Sequence, residues 1–246
     1  MSDRAVKQTH RYQIIDIARG IAIVMMFIYH FSYDLNYFGY IQIDFSQTPF
    51  WLYFRNTIVS SFLFVMGISL YLAHYKGIKR TAFLKRFILL VICAGLVSLS
   101  SYLMFPNSFI FFGILHFIAV ASILGLVLLR FYWFNLVLGI GLIITGLWVE
   151  AHFFDHPLWQ WFGLMTHKPA TEDYVPLIPW LGVVALGIFF ACWNKKHNHL
   201  PSWSNWHSQA KISRIVALAG RHSLIVYMLH QPLFIGLLFV FTKLTA

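Results

Sequence analysis

An ionisable side chain inside an apolar run is the first sign of chemistry in this chain, because placing one at membrane depth costs about 2.5–3.5 kcal/mol even on the milder insertion scales. Residues 14–33 form such a run and carry Asp16, Arg19 and His30, with Asp34 just beyond its end. On an α-helix the step from Arg19 to His30 closes to within about 20° of three turns, so both lie on one face, about 16 Å apart along the axis. Asp34 follows His30 by four residues on the same stripe, where its carboxylate can accept a hydrogen bond from an imidazole nitrogen. That pair reads as a general base with its orienting partner. The plainer alternative is an interhelical histidine hydrogen bond beside a solvated helix end. For Asp16 and Arg19 it is an i,i+3 ion pair that seats a helix end in lipid, and Arg19 is also long enough to snorkel to the aqueous surface.

Two more histidines stand in apolar runs: His116, after Phe112-Gly113-Ile114-Leu115, and His230, in the segment from Ser223 through Tyr227 to Gln231 and Pro232. Ser223 and Tyr227 each share a helical face with His230. Both histidines are read either as proton handlers or as interhelical hydrogen-bonding groups. Gly139-Ile140-Gly141 with Gly146 has no strand before it, so helix packing explains it better than phosphate binding. His152 and His156 have i,i+4 ligand spacing beside Asp155, but in a loop of this composition they read as free imidazoles and no metal is expected. Trp159 and Trp161 suit stacking on a sugar or an interfacial aromatic belt. Cys93 and Cys192 are too few, and too apolar in setting, for a disulfide frame or a cysteine-rich metal site.

The elements that must position these groups are membrane helices. Of 246 residues 59% are hydrophobic and 11% charged, with a mean hydropathy of +0.71, whereas a soluble domain carries roughly a quarter charged residues. Runs long enough to cross a bilayer as helix lie at 14–33, 51–71, 87–105, 109–129, 131–149, 177–193 and 223–241. The expected fold class is therefore all-α: a polytopic transmembrane helix bundle of about seven spans, forming a single domain over residues 1–246. Polar residues precede the first run and no small-residue cleavage site follows it, so it reads as a retained helix. The connection 194–221 has room for a surface helix, and its His197 and His199 read as loop residues.

Assigning alternate connections to the two sides puts 15 of the 18 cations together: Arg4, Lys7, Arg11, Arg19, Lys76, Lys79, Arg80, Lys85, Arg86, Arg130, Lys195, Lys196, Lys211, Arg214 and Arg221. The other side keeps Arg55, Lys168 and Lys243 with six of the eight acids. The positive-inside rule then predicts a cytoplasmic N-terminus and an external C-terminus. It also accounts for the net charge of +10 without nucleic acid, which is not an expected partner.

Several motifs in order resemble the heparan-alpha-glucosaminide N-acetyltransferase catalytic family in its short bacterial form. They are Arg11-x4-Asp16-x2-Arg19-Gly20-x-Ala22, His30-x3-Asp34-Leu35, Phe64-x2-Gly67-x-Ser69, Phe112-Gly113-x2-His116, Pro176-x2-Pro179-Trp180-x-Gly182 and Gly220-Arg221-x-Ser223-Leu224-x2-Tyr227-x2-His230-Gln231-Pro232. The Arg19-x10-His30 spacing is also similar to that of the acyltransferase-3 membrane enzymes. The resemblance implies a multi-pass enzyme of a bacterial cytoplasmic membrane that moves an acetyl group from cytoplasmic acetyl-CoA to a sugar or glycan acceptor outside. In acyltransferase-3 enzymes the matching histidine is the proposed base and the arginine lies on the acyl-CoA path, roles that fall here on His30 and Arg19. The animal acetyltransferases place their histidine nearer the external loop, so His116 and His230 stand as rivals for the base.

The expected mechanism follows. Arg19, Lys79, Arg80, Arg86 and Arg221, with Asp16 beside Arg19, hold the phosphates of acetyl-CoA. His30, oriented by Asp34, deprotonates the acceptor, and His116 or His230 steadies the oxyanion. No serine or cysteine nucleophile motif is visible, which favours direct transfer, with an acetyl-histidine intermediate as the alternative. N- and O-acylation both stay open, and so does a homodimer. A rival of another class is a proton-coupled transporter or channel with Asp16, His30, Asp34, His116 and His230 as its relay. A non-catalytic membrane scaffold is the third reading.

Overall fold

In lipid every backbone N–H and C=O must find its partner within the chain, so apolar runs of this length fold as helices. The computed structural model describes residues 12–198 and 206–245. Arg4, Lys7, Arg11 and His199 lie outside the described residues. Among those described there are eight α-helices, two short 3₁₀ segments and no strand: α1 (Gln13–Tyr37), α2 (Pro49–His74), α3 (Arg80–Met104), α4 (Ile114–Leu128), α5 (Tyr132–Trp148), α6 (Leu177–Lys196), α7 (Lys211–Arg221) and α8 (Ser223–Thr245), with the 3₁₀ turns at His152–Asp155 and Gln160–Phe162.

Five helices, α1, α2, α3, α6 and α8, are long and apolar enough to cross a membrane. Those expected at 109–129 and 131–149 are shorter, 15 and 17 residues. The first is trimmed because the chain before Ile114 bonds sideways: the Phe112 carbonyl accepts from Val175 N–H at 3.3 Å, and Asp173 Oδ2 accepts from Ile114 N–H at 2.8 Å. Asp173 thus caps α4 from a distant loop, the service an N-cap residue normally gives locally. Some hydroxyls inside the helices bond back to their own backbone one turn earlier, as Ser122 does to Ile118 O at 2.6 Å.

The chain divides into two compact units, Met1–Ile43 with Asn198–Ala246 and Asp44–His197. In the first, α1 packs on α7 backbone to backbone. A Cβ on Gly220 would stand 1.8 Å from the Asp16 carbonyl oxygen, and one on Gly20 2.1 Å from that of Val216. Small residues at a helix crossing are what allow so close an approach. Gln13 and Ser208 fasten the same region reciprocally, side-chain amide to backbone, at 2.8 and 3.2 Å. α1 also packs on α8, with contacts that advance in step from Phe27 with His230 to Tyr40, just past the end of α1, with Thr242. The two helices therefore run in the same direction.

In the second unit α6 is the central element. Gly67 of α2 and Gly187 of α6 face one another, their added Cβ atoms meeting Val184 O and Phe64 O at 2.2 Å. Gly139 of α5 meets Gly182 of α6 similarly, at 3.0 and 2.6 Å from each other's carbonyl oxygens. Gly146 lies against Pro179, whereas Gly141 has open space. Leu63, Phe117, Val184 and Ile188 fill the core between these helices and are fully buried. The turn from α4 to α5 is closed by buried Asn135, whose Nδ2 donates to Leu128 O and Phe131 O.

Candidate active site

The first unit gathers His30 and Asp34 of α1 with His230 and Gln231 of α8 into one cluster. α1 runs unbroken from Gln13 to Tyr37, so Asp16, Arg19, His30 and Asp34 ride on one rod. Across from them α8 contributes Tyr227, His230 and Gln231. The His30 and His230 rings meet edge to face with centroids 5.0 Å apart. Gln231 Nε2 donates to Asp34 Oδ1 at 2.7 Å. Asp34 and His230 are 3% and 5% exposed.

Hydrogen-bond chemistry fixes the orientation of two of these groups. The Tyr227 carbonyl can only accept, so His230 Nδ1, which bonds it, carries the hydrogen. A neutral imidazole then keeps Nε2 as its lone pair. A carboxylate likewise only accepts, so the Gln231 amide turns its NH₂ to Asp34 and its oxygen away. His230 Nε2, Gln231 Oε1 and Asp34 Oδ2 are buried without a hydrogen-bond partner. Phe27, Phe234 and Tyr227 surround the His230 ring at 5.8, 6.0 and 5.5 Å. Pro232 follows within α8. It has no N–H for the Met228 carbonyl, which interrupts the helical ladder beside the cluster.

Not every residue singled out in the sequence joins this group. Arg19 and Asp16 form an ion pair at 3.3 Å, one helical turn apart and mostly buried, nearer the start of α1. Arg221 ends α7 and is exposed. Lys79, Arg80 and Arg86 are exposed residues of the second unit, at and just inside the start of α3. His116 also belongs to the second unit, and both its ring nitrogens are engaged. Nδ1 accepts from Gly113 N–H at 3.3 Å, so Nε2 donates to Ser98 Oγ at 3.1 Å, and Ser98 in turn donates to Ile110 O at 2.6 Å. This chain ties α3 to the start of α4.

In the loop after α5, His152 and His156 do not point together. His152 Nδ1 stands 3.1 Å from Asp155 Oδ2, while His156 Nδ1 accepts from Leu158 N–H at 3.3 Å. Asp155 also accepts from the Thr166 amide and hydroxyl at 2.9 and 2.8 Å and lies 3.5 Å from His167 Nδ1. The Thr166 hydrogen bonds, foremost among its neighbours, hold the Asp155 carboxyl below the usual carboxylate range.

Gln231 is the member of the cluster that the sequence did not single out. Its only signal was a long polar side chain inside an apolar run, directly after a histidine. A family model described as heparan-alpha-glucosaminide N-acetyltransferase, catalytic, matches residues 11–232, a stretch that enters both units. No curated protein and no solved structure matches the chain.

Proposed function

Because the chain belongs to the heparan-alpha-glucosaminide N-acetyltransferase catalytic family, we propose that it carries an acetyl group from cytoplasmic acetyl-CoA to an amino sugar or other glycan acceptor on the far side of a bacterial inner membrane. The family match makes it an acetyltransferase, and its five long apolar helices make it a multi-pass membrane protein. In this reading residues 1–246 act as one enzyme, the shorter α4 and α5 complete seven crossings, and the N-terminus is cytoplasmic. The parallel course of α1 and α8 fits an odd number of crossings, since first and last spans then agree in direction.

The single observation that carries the chemistry is the buried meeting of His30 with His230 beside Asp34 and Gln231. His230, its Nδ1 hydrogen held by the Tyr227 carbonyl, offers Nε2 as the base, and His30 against it is the second station for the proton. For an amino acceptor, the nitrogen gives its proton to this pair and attacks the thioester carbonyl carbon. One C–N bond forms, one C–S bond breaks, and the imidazole proton passes to the departing thiolate. Asp34 acts through the hydrogen bond that sets it against α8. At the other end of α1, Arg19, held by Asp16, and exposed Arg221 offer charge to the donor's phosphates. Lys79, Arg80 and Arg86, at and just inside the start of α3, are the other cations proposed for this role.

General-base catalysis is worth about 10²–10⁴-fold. Reconstituted His230→Ala and His30→Ala proteins should therefore lose at least about a hundredfold in transfer of labelled acetyl from acetyl-CoA, with insertion and thermal stability intact. Wild-type rates in both variants would remove the histidine pair from the reaction.

A further inference from the structure

The short helix packed on the start of α1 leaves one apolar side uncovered. In α7, Gly220 is buried and Val216 lies against Gly20, so these two positions face α1. At about 100° per residue, Ile212, Ile215 and Leu218 fall within an arc of about 120°, centred about 120° around the helix from that contact. They are 73%, 58% and 57% exposed. Arg214 occupies the sector next to Leu218, and Lys211 stands in the first turn, where its stem can lie along the apolar arc while its ammonium reaches out. The helix contains no acid. Single exposed aliphatic residues need no explanation, but three on one arc of an eleven-residue helix with a cationic flank have the pattern of a helix that lies on a bilayer.

The neighbours of α7 say what covers that arc. It crosses α1 at Asp16 and Gly20, at the start of one apolar span, and only His222 separates it from α8, the next. Just past the crossing α1 exposes Ile21 and Val24, and the first turns of α8 expose Ile225 and Leu229, the kind of surface that lipid chains cover in a multi-pass protein. Trp206, five residues ahead of α7, is exposed too, and tryptophan gathers where membrane meets water. A second copy of the chain seated on the same arc would bring the Lys211 and Arg214 of both copies together, whereas headgroup phosphates meet those cations with opposite charge.

We propose that α7 is an interfacial helix docked on the phospholipid bilayer, with Ile212, Ile215 and Leu218 in the acyl-chain boundary and Lys211 and Arg214 at the headgroup phosphates. This surface holds whether or not the chain transfers acetyl.

The test uses the full-length chain in nanodiscs of phosphatidylcholine and phosphatidylglycerol, with nitroxides on Ile212→Cys, Ile215→Cys, Leu218→Cys and Arg214→Cys in turn. Molecular oxygen concentrates in lipid and a nickel chelate stays in water. The ratio of oxygen to nickel collisions should be several-fold higher at 212, 215 and 218 than at 214. Equal ratios at all four positions would show a wetted helix and overturn the docking. Exclusion of both reagents from 215, with magnetic coupling between labels on two chains, would put a second copy on the arc and overturn it as well. Where a labelled chain does not fold, the wild type decides: a phospholipid with a diazirine near the glycerol end of its acyl chain should, on irradiation, modify the tryptic peptide 215–221. Absence of that adduct, with adducts found on α8, would refute the proposal.

Discussion

At the scale of single residues, two carboxylates show how setting decides behaviour. Asp155 is outside the spans and is held ionised by the Thr166 hydroxyl and amide. Its folded pKa lies below the ordinary value, so the stabilisation it lends the loop is complete above about pH 4 and disappears as pH falls through the depressed value. Thr166→Val should shrink the loss of melting temperature between about pH 5 and pH 3, measured on the purified protein. An unchanged profile would show that the hydroxyl contributes nothing. Asp34 is the opposite case, a carboxylate inside an apolar helix. Its presence there was legible from the sequence, because a buried acid stands out against the residues around it. Its partner was not. The i,i+4 spacing pointed to His30, but the hydrogen bond goes to Gln231 on another helix, and a helical stripe does not reveal what packs across from it.

Between elements, glycines decide which helices touch. The group at Gly139, Gly141 and Gly146 read as a packing surface, and two of its three members are one; Gly141 meets nothing. Gly139→Ala puts a methyl 2.7 Å from the Leu186 side chain and 3.0 Å from the Gly182 carbonyl, an overpacking that should cost about 1–3 kcal/mol in unfolding measurements. Gly141→Ala should be neutral or gain up to about 1 kcal/mol from helix propensity. Equal effects at the two positions would refute the assignment of α5's contact face. Gly20 and Gly220 stood out in the sequence only as members of the motifs that carry the resemblance, since a glycine's neighbour is not encoded in its own helix. The surface helix α7 itself was expected from the polar connection, and it forms where the chain regains apolar residues at helical spacing.

For the whole molecule, composition settled the class, and apolar length picked out the five helices that are long enough to cross a membrane. The remaining two were less legible, because α4 and α5 rise only about 22 and 26 Å and the chain before α4 is held by Asp173 and Val175 instead of continuing the helix. Sidedness is a matter for labelling. Cys93 and Cys192 are buried, so introduced cysteines will dominate reaction with an impermeant maleimide. His156→Cys should react on intact cells, and Lys76→Cys and Arg130→Cys only after permeabilisation. Reaction of Arg130→Cys from outside would show that α4 and α5 do not cross, leaving five spans.

The Asp34–Gln231 bond joins residues 197 positions apart, and that separation sets a schedule for the ribosome. Asp34 enters the membrane with the first helix to be made, at an insertion cost of about 2.5–3.5 kcal/mol, and its mate is synthesised almost last. For most of translation the nascent protein thus holds an unmatched acid, and any chain released before residue 231 lacks half of the cluster.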